Sequence, residues 1–179
     1  MRQSLHRTLA LSALLAAAGT FVAGQAGVDQ KQLARLKQLF PSAATFSPKE
    51  GEPAHFTAYA PGGSGNQGVL GYAFWTTEVV PLERGYGGPI VMLVGINLKG
   101  LLTGVIVAEH HEPYGDFSVD RAEFAEQFKG KNIRDSFKVG ADIDAVSRAT
   151  ISVTSASRSV RNSARRIARQ LLAPPEAGK

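Results

Sequence analysis

Cysteine is absent from all 179 residues. Iron–sulfur clusters and c-type haem attachment both need thiols, so neither is available to this chain. Any redox role falls to an organic cofactor or to a metal held by histidine and carboxylates. Disulfides are excluded as well, which suits an exported protein that does not rely on them. Also missing are a G-x-x-x-x-G-K phosphate loop, a nicotinamide fingerprint and a catalytic triad, so no substrate of its own is visible. The formal charge is only +5, and Arg2 and Arg7 supply part of it. Most of the remaining excess sits in the last predicted helix. No extended basic groove with interleaved aromatics is present, which removes nucleic acid as a partner.

What is there begins with a leader-like segment. Arg2, His6 and Arg7 form a basic start, and Leu9 to Ala23 is apolar or small, broken by Ser12, Gly19 and Thr20. Gly24-Gln25-Ala26 then places small residues where a signal peptidase requires them. The run falls short of the ~20 apolar residues of a comfortable bilayer span, although an uncleaved anchor stays open. No twin-arginine pair is present, so export precedes any cofactor attachment. The expected organisation is a signal peptide over 1–26, a helix and loop-rich lead-in over 27–68, one domain over 69–172 and a disordered tail over 173–179. The expected location is the periplasm.

Apolar periodicity predicts a short helix from Gln30 to Phe40, stopped by Pro41, and a loop-rich stretch to Gly68 with one strand around Phe56 and Tyr59. Gly71 to Thr77 is aromatic and β-prone, and ends before Pro81. Gly85-Tyr86-Gly87-Gly88-Pro89 reads as a flexible turn. Ile90 to Ile96 and Leu101 to Ala108 read as an antiparallel pair joined at Asn97-Leu98-Lys99-Gly100. A helix is expected over Asp120–Phe128, a short strand at Phe137-Lys138-Val139, and a final basic helix from about Ser155 to Leu172. The class is α+β: a small twisted, mainly antiparallel sheet with a central hairpin at about 90–108, flanked by helices.

Asp144-Ala145-Val146-Ser147-Arg148-Ala149-Thr150-Ile151-Ser152 packs an acid, several hydroxyls and a small residue just ahead of that basic helix. It reads either as a plain helix start, with Ser152, Thr154 or Ser155 as N-cap, or as an anion site. Hydroxyls and free backbone N–H groups at a helix start favour phosphate. Glu109-His110-His111-Glu112-Pro113, at the end of the hairpin's second strand, offers metal ligation, a packing role or cofactor contact. Neighbouring strand residues point to opposite faces, so His110 and His111 converge only if the strand breaks, which Pro113 favours. Tyr72 and Trp75 read as core or as stacking partners for a planar ligand. Tyr86, with Gly87 and Gly88 beside it, suits close approach to such a ring. On the last helix Val160, Ala164, Ile167 and Leu171 form a core stripe. Arg158, Arg161, Arg165 and Arg169 form either a solvated face or an anion-docking one.

The Asp144–Ser152 segment resembles the D-x-x-S/T-G-A-T-x-S/T signature of the FMN-binding domain family. That family includes periplasmic subunits of sodium-pumping NADH:quinone reductase and Rnf electron-transport complexes. The N-terminal domains of nitrous oxide reductase accessory and regulatory proteins also belong to it. Gly85–Ile90 is similar to the family's G-Y-x-G-P-I run, and Glu109–Gly115 to its H-x-E-T-P-G-L-G loop, more closely to the E-H-H-E-P form of the accessory proteins. The resemblance implies FMN joined through its phosphate to the hydroxyl of Thr150 by a flavin transferase. It implies His111, Glu112 and Pro113 beside the isoalloxazine, with Tyr86 and Gly88 as further contacts. Asp144 and Ser147 then shape the attachment loop and help the transferase recognise it, and Ala149 and Ser152 join them as cofactor-binding residues. One departure stands out: Arg148 occupies the family's glycine position. Either the backbone there is ordinary, or modification is impaired, or arginine pairs with the phosphate. Arg158 and Arg161 are further candidates to neutralise that phosphate. The implied function is an electron relay serving membrane or periplasmic redox partners, with association to a membrane surface left open. The rival readings are a non-redox binding module that has lost flavin through Arg148, and a metal protein using Glu109, His110, His111 and Glu112.

Overall fold

The computed structural model describes residues 29–63, 65 and 67–172. The expected leader over 1–26 and the expected tail over 173–179 lie outside the described residues. Helix α1 (Gln30–Leu39) starts where the Asp29 carboxylate accepts the Gln32 N–H at 2.7 Å, a side-chain cap for an otherwise unpartnered donor. It buries Leu36 and Leu39 and ends before Pro41. Five strands follow as a meander: β1 (Thr45–Phe46), β2 (Phe56–Tyr59), β3 (Val69–Trp75), β4 (Val91–Asn97) and β5 (Leu102–Glu109). They pair in sequence order and antiparallel throughout. A short helix α2 (Thr76–Val79) follows β3 directly, α3 (Ala122–Glu126) follows β5, and α4 (Thr150–Ile167) closes the domain with a wider π turn over Ala168–Leu172.

Alternation along the strands splits the core in two. Phe74, Met92, Val94, Ile96 and Val105 face α4, whose Val153, Ala156, Val160, Ala164 and Ile167 are all buried against them. Ala73 and Leu93 face the other way, onto α1 and Phe46, with Ile106 packed there as well. The sheet is therefore covered on both faces, and the expected α+β class holds. The hairpin forms as its turn chemistry predicts: Asn97 Oδ1 accepts the N–H groups of Lys99 and Leu101 at 2.9 and 3.0 Å. It lies at one side of the sheet, not at its centre, with β5 as edge strand. The 130–133 loop covers the start of that edge through Leu102 N–H to Lys131 O at 2.8 Å.

Three expectations need correction. Helix α4 begins at Thr150, about a turn and a half before Ser155, and its N-cap is Ala149, not Ser152, Thr154 or Ser155. Burial of Ala149 and Val153 outweighs the weak helix propensity of the Thr and Ser residues there. Helix α3 is shorter than Asp120–Phe128, although Phe124 and Phe128 do share a face, meeting edge-on at 5.2 Å. Phe137–Val139 is not a strand. Phe137 has φ 52° and the loop is clasped by Asp142, which accepts from the Ser136 hydroxyl and from the N–H groups of Phe137 and Lys138.

That clasp carries a pH signature. Partial burial opposes ionisation of Asp142, but the Ser136 hydroxyl, the Lys138 and Phe137 N–H groups and the Lys131 ammonium outweigh it, holding the carboxyl at about 2. A lowered folded-state pKa contributes stability that is present above the ordinary value of 3.8 and lost as pH falls through about 2. Since the side chain is partly exposed, solvent screening reduces the contribution to about 1 kcal/mol. Asp142→Asn should therefore lower unfolding free energy by about that much at neutral pH, with the gap closing in denaturant titrations near pH 2.

Candidate functional site

Three chain segments meet at the N-terminal end of α4. The first is the Gly85–Pro89 turn, closed by Gly85 N–H to Gly88 O at 2.7 Å. The second is the His110–Gly115 loop that leaves β5, just beyond a bulge between Val91 and Met92 that leaves Ala108 unpaired. The third is the start of α4 itself. Glu112 ties them together. Its carboxylate is buried at 7% exposure and accepts three donors: Tyr86 N–H at 2.9 Å, Gly87 N–H at 3.0 Å and the Ser152 hydroxyl. The two turn glycines are needed for this fit. A Cβ at Gly85 would stand 2.3 Å from the Glu112 carboxylate, and one at Gly87 would stand 1.9 Å from the His111 carbonyl oxygen.

The Glu109–Glu112 side chains diverge. His110 turns inward: its Nδ1 accepts the Glu112 N–H at 3.0 Å, so its Nε2 carries the hydrogen and donates to Asp120 at 2.7 Å. His111 and Pro113 are exposed, and Glu112 lies beneath the Tyr86 turn. Among the described residues no group of three or more His, Asp or Glu is placed to hold a metal ion.

At the start of α4, Ala149 offers no side-chain cap, so the first backbone N–H groups of the helix face outward without an intrahelical partner. Arg148 has φ 68°, the left-handed conformation that glycine adopts freely and arginine rarely does. Thr150 is exposed directly beyond it. Arg148, Ala149, Thr150, Ile151 and Ser152 line a cleft of about 330 Å³ together with Tyr86 and Tyr114. That volume is at the lower end of the usual range for ligand clefts. Three of the six large hydrophobic side chains exposed among the described residues, Tyr86 at 71%, Tyr114 at 47% and Ile151 at 58%, border it, which marks this surface as one built to be covered.

Of the residues singled out from sequence, the cleft gathers Tyr86, Arg148, Ala149, Thr150 and Ser152. Glu112 stands behind it as a brace. Gly88, with φ 145°, belongs to the bracing turn. Asp144 and Ser147 are exposed on the approach to α4 and do not line the cleft, and neither do His111 and Pro113. Asp144 is held through its backbone, whose N–H donates to Gln127 Oε1 at 2.7 Å. Sequence reasoning missed Tyr114 and Ile151; each adjoins a residue that it did name. Tyr72 and Trp75 sit elsewhere. Tyr72 meets the His55 ring edge-on at 5.3 Å, and its phenol is raised above 10.0 by burial and then by Tyr59, while Trp75 lies under the Arg35 guanidinium at 5.6 Å. Arg158 is directed to Glu83 at 3.4 Å and Arg161 to the Asn162 side chain at 3.2 Å, so neither is turned to the cleft.

An uncapped helix start, a free threonine hydroxyl, a guanidinium and two partly exposed aromatics suit a ligand with a phosphate at one end and a flat ring system at the other. Residues 85–165, which contain all three converging segments, match the FMN-binding domain family, and this part of the chain is an FMN-binding domain. The chain is also similar to the regulatory protein NosR of Stutzerimonas stutzeri, at 30% identity over 129 residues. The similarity covers 66% of this chain but 17% of that much longer protein. Among the described residues no helix is long and apolar enough to cross a membrane.

Proposed function

We propose that this domain carries FMN covalently, as a phosphoester on Thr150, and works as an electron relay outside the cytoplasm. The observation that carries the reading is Thr150 itself: an exposed hydroxyl at the uncapped start of α4, on the wall of a cleft bordered by Tyr86 and Tyr114. The α4 N–H groups and the Arg148 guanidinium hold the phosphate, the two tyrosines pack against the ring, and Glu112 fixes the turn that presents Tyr86. Bound FMN supplies the redox chemistry that a chain without cysteine cannot build from thiols. Covalent attachment suits a location where a dissociated cofactor is lost by dilution.

The φ of Arg148 supports attachment over the flavin-free binding module. The loop keeps a left-handed backbone at this position even though the residue is not glycine. Maturation then requires export and a flavin transferase, and electrons pass to and from separate membrane or periplasmic proteins. The resemblance of the Glu109–Gly115 loop to that of nitrous oxide reductase accessory proteins supports service alongside a respiratory reductase, by analogy of site.

The test is intact mass and flavin fluorescence of the denatured full chain after export together with a flavin transferase. The expected result is a gain of one FMN less water, since the Thr150 oxygen replaces one phosphate oxygen. The gain should be retained in Thr150→Ser and absent in Thr150→Ala. A folded chain without the added mass would overturn covalent attachment and leave the binding module.

A further inference from the structure

The far end of α4 holds a second and larger concavity, about 570 Å³, between the β4–β5 hairpin tip, the 133–134 loop and the last helical turn. Its cations are Lys99, Arg134, Arg165 and Arg169, and its apolar walls are Leu98, Ile133 and Leu172, completed by Gly100 and Ala168. Every lining residue is thus small, aliphatic or cationic. No aromatic, carboxylate or side-chain amide contributes.

The charge there is not balanced internally. Arg158 and Arg166 on the same helix pair with Glu83 and Glu52. Arg165 instead donates to two carbonyl oxygens, Ile133 O at 2.8 Å and Asp135 O at 2.9 Å, which fix its position without neutralising it. The nearby Asp135 carboxylate accepts the Asn132 N–H at 2.9 Å. Among the described residues none of the four cations forms an ion pair with a carboxylate. Leu98, beside Lys99 at the hairpin tip, is 51% exposed.

From this we propose that the groove docks the domain on a bilayer containing anionic phospholipid, with the headgroup phosphate among the four cations and an acyl chain against Leu98, Ile133 and Leu172. Charge complementarity selects an anion, and the aliphatic walls select one that carries a hydrocarbon chain. Centres of protein–protein contacts are rich in aromatics, and none lines this groove. Arg165, the groove residue nearest to Thr150 along α4, is 15 residues from it, roughly 22 Å at ~1.5 Å per residue. A domain docked this way therefore keeps the Thr150 cleft turned away from the membrane. Flavin plays no part in this docking.

The absence of cysteine makes the test local. Leu98→Cys in the full chain takes a single environment-sensitive fluorophore, with Phe117→Cys, an exposed position that does not line the groove, as the control. Because the readout is confined to residue 98, any attachment through residues 9–23 does not register. Vesicles of phosphatidylcholine with phosphatidylglycerol should shift the residue-98 label to the blue, and the residue-117 label should not respond. High salt should reverse the shift. Arg134→Ala with Arg169→Ala, both exposed positions, should weaken it by about fivefold per cation removed. On the unlabelled chain, the same vesicles should slow acetylation of Lys99 about tenfold, read by mass spectrometry. An equal response to pure phosphatidylcholine, no response, or an unchanged response in the double variant overturns the proposal. So does saturation by a soluble acidic peptide, which would make the partner a protein. A buried label before any vesicle is added, released on deleting residues 173–179, would assign the groove to the chain's own tail.

Discussion

Replacing Glu112 by alanine should lower the melting temperature by about 10 °C and weaken FMN binding more than tenfold. The carboxylate is the common acceptor for two backbone N–H groups of the Gly85–Pro89 turn and for the Ser152 hydroxyl of α4. Alanine leaves these donors facing a void. Each unsatisfied buried donor costs about 1–3 kcal/mol, and two backbone groups with one rotatable hydroxyl come to about 4 kcal/mol. In a domain of this size each kcal/mol moves the midpoint by about 2–4 °C. Glu112→Gln should cost roughly half as much, because one amide oxygen still accepts while the amide nitrogen faces another donor. Ser152→Ala removes a donor and not the acceptor, and should cost about 1 kcal/mol. The effect on FMN follows from position: without its brace the turn no longer fixes Tyr86 opposite Tyr114. Gly87→Ala gives an independent check, since its Cβ would collide with the His111 carbonyl oxygen and push the same two loops apart. Thermal melts and FMN titration on the four variants decide the matter. Weak binding with an unchanged melt for Glu112→Ala would mean that the carboxylate contacts the ligand directly.

This bracing role could not be read from sequence, where Glu112 falls in a loop expected beside the ring. A carboxylate next to a ligand and one that organises the loops around it look alike as letters. What separates them is burial and the identity of the donors, and both arise only when segments 26 and 40 residues away fold onto it. The hairpin was legible because its information is local: a run of apolar β-formers, an asparagine able to accept two N–H groups, and a second β-prone run. The start of α4 was misread because Ser152, Thr154 and Ser155 carry capping chemistry, while burial of Ala149 and Val153 decides the outcome through contacts outside the segment. Phe137–Val139 has a strand's composition, and three donors to Asp142 turn it into a clasped loop. Tyr114 and Ile151 escaped notice since isolated exposed apolar residues are common on any surface. Only their convergence with Tyr86 gives them meaning. Thr150 was found because the attachment segment is contiguous in the chain.

Arg148→Gly should raise stability slightly while weakening FMN binding, an opposition that few other substitutions in this domain would produce. Holding arginine at φ 68° costs about 1–2 kcal/mol relative to an ordinary backbone. Glycine removes that strain but enlarges the conformational freedom of the unfolded chain, so the net gain is at most about 1 kcal/mol. The melting temperature should rise by no more than about 3 °C. In the same variant the cleft loses its guanidinium. A charge-assisted hydrogen bond to phosphate is worth about 1.5–3 kcal/mol, so noncovalent affinity for FMN should fall about ten- to a hundredfold. Measuring this in a Thr150→Ala background separates affinity from attachment. Arg148→Glu keeps the strained backbone and reverses the charge, so it should bind more weakly still without any gain in stability. An Arg148→Gly variant that binds FMN as tightly as the parent would make Arg148 a passive occupant of a left-handed position. The expected split instead identifies backbone strain retained to place a cation beside the helix start, where the phosphate of a flavin attached at Thr150 must lie.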